Sequence, residues 1–196
     1  MTIKADTLQA ELVAVGGGGA GTPINVRLAE IAWEPYNLWV NKDGRRFMDE
    51  GYQLAFFAHG NALALQPEGI SYSLFDSQTL KMIAERGLLR TGIFGAYTLH
   101  GFSKPGIPLP GLEREIKKQQ SRDCLKIAES WDDIACWIRC QPQALKAMLE
   151  EYNAGCDRGH DSLFAKDQAY LRPLRTPPYY AIRCQGFICE ALPERD

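Results

Sequence analysis

An α+β fold is what this sequence predicts, and three observations predict it. Four short segments, Asn37 to Asn41, Ile70 to Phe75, Cys124 to Ala128 and Tyr180 to Ile188, have the alternating or apolar character of strands. Among them lie segments with helical propensity or period and recognisable ends, notably Thr79 to Arg86, Ser130 to Ile138 and the stretch after Pro142. With 45% hydrophobic and 23% charged residues, 196 residues suffice for one domain with its own core.

The elements follow in order. Ala10 to Val15 reads as a short strand, followed by the run Gly16 to Gly21. That run satisfies G-x-G-x-x-G, the dinucleotide fingerprint, in form only. Pro23 follows at once, and the acidic residue due about 20 positions later falls at Trp39 to Asn41, where no carboxylate stands. The run is read as a flexible loop. Val26 to Trp33 forms a short helix carrying Arg27 and Glu30 and ends before Pro35. Tyr52 to Leu65 is a mostly buried apolar helix, with His59 as a packed residue rather than a ligand. Asp76 caps the helix through Arg86, and Gly87 stops it.

Leu88 to Gly111, which contains His100, is rich in Gly, Pro and aromatics, and so long an irregular stretch points to function or mobility. Leu112 to Gln120 is helical but dominated by charge, which predicts a surface position. Ser130 and Asp133 form a capping-box start. Pro142 stands at a first helical position, and Leu145, Met148, Leu149 and Tyr152 make a core stripe before Gly155. Asp157 to Pro178 is turn-rich, with Phe164 as its aromatic anchor.

The stretch Tyr36 to Glu50 organises the chain. A half-buried strand, Asn37 to Asn41, enters a Lys42-Asp43-Gly44 turn, after which Arg46, Phe47 and Glu50 bring basic, aromatic and acidic groups together. The pattern Asn41-x-x-Gly44-x-Arg46-Phe47-x-x-Glu50 resembles the signature in the substrate-capping domain of the FAD-dependent fumarate reductase/succinate dehydrogenase flavoprotein family. Ser130-Trp131-Asp132-Asp133-Ile134-Ala135, followed by a second helix ending at Tyr152-Asn153, resembles that family's paired helices. Pro177-Pro178-Tyr179-Tyr180-Ala181 resembles its return toward the flavin domain, so the likeness covers roughly residues 20 to 188.

The resemblance implies a compact cap domain with a small, mostly antiparallel sheet and several helices, closing over FAD and a small organic substrate in a larger oxidoreductase. Residues 1–21 would be a Gly-rich join from a missing flavin domain, 22–188 the cap, and 189–196 a tail returning toward that domain. FAD belongs to the full-length protein on this reading; none is expected in this piece, which is inactive alone and partners an FAD-binding domain of the same or a companion chain.

Departures from the family point away from fumarate and succinate. An ungapped count puts Leu54 where a proton-donating Arg is expected, Trp33 at a substrate-binding Arg, and Cys189-Glu190 near a substrate His. Leu cannot donate a proton and Trp cannot fork onto a carboxylate. Glu30 occupies the acidic position of the family's proton path, which makes it the candidate catalytic residue. Arg27, Arg46, Glu50 and His100 are the candidate substrate-binding residues, bordering one concave face with Glu30, and Arg27 or Arg46 is the candidate contact for a substrate carboxylate. The plainer alternative has Arg46 and Glu50 bracing the turn and His100 solvated in a loop. At the level of function, the alternative is a stand-alone ligand-binding or interaction domain without redox chemistry.

A net charge of −2 offers no electrostatic reason for a nucleic-acid or anionic-membrane partner. The six cysteines, Cys124, Cys136, Cys140, Cys156, Cys184 and Cys189, lack C-x-x-C spacing, so free thiols and no metal are expected. Without a signal peptide or an 18-residue apolar run, the expected compartment is a reducing cytoplasm.

Overall fold

The computed structural model describes residues 26–51, 56–89, 105–120 and 124–185. Four strands, β1 Leu38–Asn41, β2 Ile70–Asp76, β3 Leu125–Ala128 and β4 Tyr179–Gln185, form one sheet in the order β1-β2-β4-β3. All three pairings are antiparallel. Leu38 faces Leu74 across β1 and β2, Ile70 to Asp76 pair with Gln185 to Tyr179, and Leu125 faces Ile182.

Helices cover both faces of this sheet. On one face α1 Val26–Ala32, α2 Phe56–Ala64, α3 Ser77–Arg86 and α4 Leu112–Lys117 bring Leu28, Ile31, Leu63, Leu80, Ile83, Leu112 and Ile116 onto Trp39, Phe75, Tyr180 and Ile182. On the other, α5 Trp131–Ile138 and α6 Pro142–Arg158 lay Ile134, Ile138, Leu145, Leu149 and Tyr152 on Leu38, Val40, Tyr72, Leu74 and Ala181. Each aliphatic or aromatic side chain buried in this way contributes about 1.5–3 kcal/mol. None of the described helices is long and apolar enough to cross a membrane.

Three expectations are corrected. β1 is not half-buried: Leu38, Trp39 and Val40 are fully enclosed, because helices lie on both of its faces. β2 is likewise buried throughout, and its alternating serines make room for α1 instead of facing water; Ser73 Oγ donates to the Ala32 carbonyl at 2.9 Å. The charged helix α4 is not a surface appendage, since Leu112 and Ile116, four apart on one side, insert into the core.

The helix after Pro142 also outruns its predicted end. It continues past Asn153 and Gly155 to Arg158, and Gly159, at φ 68°, is the residue that stops it. The predicted caps at Asp76, Ser130 and Gly87 match. The Asp76 carboxylate accepts from the Thr79 amide at 2.9 Å, and its other oxygen accepts from the Arg175 and Thr176 amides, tying the approach to β4 onto α3. Ser130 Oγ accepts from the Asp133 amide at 3.2 Å, as the capping box predicts, while the Asp133 carboxylate turns back to accept from the Ser130 hydroxyl at 2.6 Å instead of from the Ser130 amide. Gly87 closes α3 at φ 78°, and the chain after Pro105 returns across it, with Gly106 N donating to the Leu88 carbonyl and Leu109 N to the Ala84 carbonyl. Residues 52–55, the run Gly16 to Gly21 and the chain beyond Gln185 lie outside the described residues.

Candidate functional site

The turn after β1 is built by Asn41. Its side-chain oxygen accepts from the Asp43 and Arg45 amides at 3.0 and 3.1 Å, and its own amide donates to the Arg45 carbonyl at 2.9 Å. Gly44 takes φ 74° here, and a Cβ on it would stand 3.0 Å from Cys140 Sγ, so both backbone and packing select glycine. The chain then doubles back, and Arg46 bridges Val40. That register puts Arg46 on the α5 and α6 side of the sheet.

There the guanidinium lies between two aromatic rings, 5.1 Å from the centre of Tyr152 and 5.0 Å from that of Phe164. Its edges fork onto two carboxylates. Nε and Nη2 donate to Glu50 at 3.1 and 2.8 Å, and Nη1 and Nη2 donate to Asp161 at 3.1 and 2.9 Å. Four of the five guanidinium N–H groups are thereby taken. Glu50 also accepts from the Trp39 amide at 3.0 Å and lies 3.2 Å from Lys166 Nζ. Lys166 donates on to the Asn37 carbonyl at 2.8 Å and reaches Tyr152 Oη at 3.4 Å. Asp161 is aligned by the Leu163 and Lys166 amides at 3.1 and 3.3 Å.

This is a closed box of two cations and two anions, with side-chain exposures of 2% for Arg46, 0% for Glu50, 6% for Asp161 and 0% for Lys166. Burial pushes the Glu50 carboxyl up, but Lys166 and Arg46 outweigh it and hold it below its ordinary value. Asp161 is likewise held low by Arg46 against its own desolvation. Burial lowers the Lys166 ammonium, with Glu50 opposing the shift. Every charge in the box has a partner within it. A small cleft of about 20 Å³, lined by Arg46, Met148, Tyr152, Gly155, Asp161 and Leu163, adjoins it.

The predicted site residues are thus divided. Arg46 and Glu50 do come together, but on each other and on Asp161 and Lys166, and the guanidinium assigned to a substrate carboxylate is already occupied by two protein carboxylates. Glu30 is 4% exposed on α1, which packs on the opposite face of the sheet. Arg27 belongs to the same helix, with its side chain outside the described set; His100 and Leu54 lie outside the described residues. Trp33 follows α1, half-buried and edge-on to Trp39 at 5.9 Å. Two residues escaped the sequence reading altogether, Asp161 and Lys166, since a turn-rich stretch carries no period to mark them. Glu34, 1% exposed, was also passed over; both of its oxygens accept from the Leu89 amide, at 3.0 and 3.2 Å. Among the described residues no cluster of His, Cys, Asp or Glu is arranged to hold a metal.

No family model matches the chain. It is 28% identical over 141 residues to digoxin reductase of Eggerthella lenta, which is 72% of this chain and 21% of that protein. It is 26% identical over 155 residues to vinyl phenol reductase of Lactiplantibacillus plantarum, covering 78% of this chain and 30% of that protein. The chain therefore spans less than a third of the length of these curated relatives. Among solved structures, the open conformation of a flavocytochrome c3 fumarate reductase superposes with a TM-score of 0.54 at 18% identity, over 82% of this chain and 22% of that one. The 3-ketosteroid delta1-dehydrogenase of Sterolibacterium denitrificans gives 0.56 at 19%, over 80% and 28%. The solution structure of a fumarate reductase flavoprotein subunit from Lactobacillus plantarum gives 0.53 at 19%, over 90% of this chain and 98% of the solved one. Fold and sequence converge on the likeness that the signature suggested: this chain resembles the capping portion of the fumarate reductase/succinate dehydrogenase flavoprotein family.

Proposed function

We propose that this chain is the substrate-capping domain of a larger FAD-dependent oxidoreductase, closing over an uncharged unsaturated organic substrate. One observation carries the reading. Most of the chain matches a minor part of two reductases, and one of these is named for vinyl phenol, an alkene without a carboxylate. The described residues do not fit a dinucleotide site of their own. Their sheet is antiparallel throughout, and among them no parallel strand-turn-helix unit offers a helix N-terminus to a pyrophosphate. On this reading flavin binding falls to the rest of the full-length protein.

What this chain supplies is cover and a carboxyl group. Trp33, half-buried against Trp39, stands where the family resemblance would place a cation, and an indole cannot fork onto a carboxylate. Glu30 is the proton-handling group, with Arg27 and His100 completing the substrate-facing surface. The test uses the protein completed with its flavin-binding portion. Glu30→Gln is expected to slow reoxidation of the reduced enzyme by an aryl alkene about 10²-fold or more while substrate affinity stays within a few-fold. An unchanged rate removes the proton-transfer role. Faster turnover with fumarate than with the aryl alkene removes the substrate assignment.

A further inference from the structure

We propose that Asp161 and Lys166 are positioning residues: from the segment after α6 they lock Arg46 and Glu50 in place and so fix the course of the chain from Asn37 to Gly51. The inference rests on the capping function only where it predicts an effect on turnover.

The geometry assigns each a separate task. Lys166 closes the base of the excursion, because a single ammonium joins the Asn37 carbonyl, at the entry to β1, to the Glu50 carboxylate, at the exit. Asp161 holds the tip. Its two oxygens take both Nη atoms of Arg46, while the Leu163 and Lys166 amides set the carboxylate plane. Tyr152 and Phe164 then confine the guanidinium from either side. Neither Asp161 nor Lys166 is near the signature in sequence, being separated by 115 residues from Arg46 and 129 from Asn37 respectively. Misplacing Glu50 would displace the end of the signature, where the family resemblance sets substrate-binding residues.

Charge balance makes the role testable. Asp161→Asn leaves a surplus cation in a closed site and Lys166→Met a surplus anion, whereas the two together restore neutrality. In urea unfolding of the 196-residue chain, each single variant is expected to lower the folded-to-unfolded ratio about 10²-fold or more. The double variant should lose clearly less than the product of the two, because coupled charges are non-additive. Losses that simply multiply overturn the box. In the flavin-completed protein, at a temperature where all variants stay folded, Lys166→Met should lower kcat with KM within about twofold, as an interaction felt only in the transition state does. The double variant should recover part of that loss. Coupled stability with an unaltered kcat in Lys166→Met confines the box to folding and overturns the positioning role. A flavin-completed protein that is inactive in every form, wild type included, refutes the capping function while leaving the unfolding result to decide the box.

Discussion

Arg46 serves two carboxylates at once, and that sets the cost of its loss. Counting hydrogen bonds alone suggests about 1–3 kcal/mol for Arg46→Ala. The structure raises this, since Glu50 and Asp161 would both be left buried with reduced compensation. A loss of about 3–5 kcal/mol in urea unfolding is expected. Arg46→Lys should recover little, because an ammonium cannot make two planar forks; a change below about 1 kcal/mol for either would show the cluster to be solvated. The same carboxyls predict a pH dependence. Both have folded pKa values below their unfolded ones. Their contribution is complete above the unfolded values of about 4 and drains as pH falls through the folded ones. Between pH 5 and 3 the urea midpoint of the native chain should fall more steeply than that of Asp161→Asn, which has lost one of these carboxyls. Parallel curves would locate the acid sensitivity elsewhere.

At the scale of elements, the ends written in side chains were legible and the faces were not. Asp76, Ser130 and Pro142 mark helix starts that the structure reproduces, because capping is local and needs no knowledge of the rest of the chain. The burial of α4 was illegible, as two apolar residues among charges look like noise until a core is there to receive them. Gly155 misled for the opposite reason: it lies inside α6 because a Cβ there would come 3.0 Å from the His160 carbonyl oxygen, a packing demand that looks like a stop signal in sequence. Gly87 is needed twice over. It has φ 78°, and an added methyl would collide with the Ile107 backbone. Gly87→Ala should therefore cost more than the roughly 1 kcal/mol of a strained backbone alone. Thermal unfolding checks this, and a cost of 1 kcal/mol or less would mean that the segment after Pro105 yields freely.

For the molecule as a whole, the resemblance supplied the architecture and the physical pattern supplied its parts. Periodicity alone does not reveal that both faces of the sheet are covered, because β2 alternates serine with apolar residues and reads as half-exposed. The antiparallel sheet gives a further expectation: the purified 196-residue chain should be colourless, without flavin absorbance after gel filtration. A stoichiometric yellow cofactor would return the Gly16 to Gly21 run to consideration as a nucleotide site. The separation of the four charges also bears on how the protein is made. Asp161 leaves the ribosome 115 residues after Arg46, a delay of about 6–23 s at roughly 5–20 residues per second. Throughout that interval the nascent chain carries Arg46 with Glu50 beside it but without Asp161 and Lys166. Closure of the box is thus a late event, and a chain interrupted before Asp161 should be recognised by chaperones as unfinished although β1, β2 and α3 have already been synthesised.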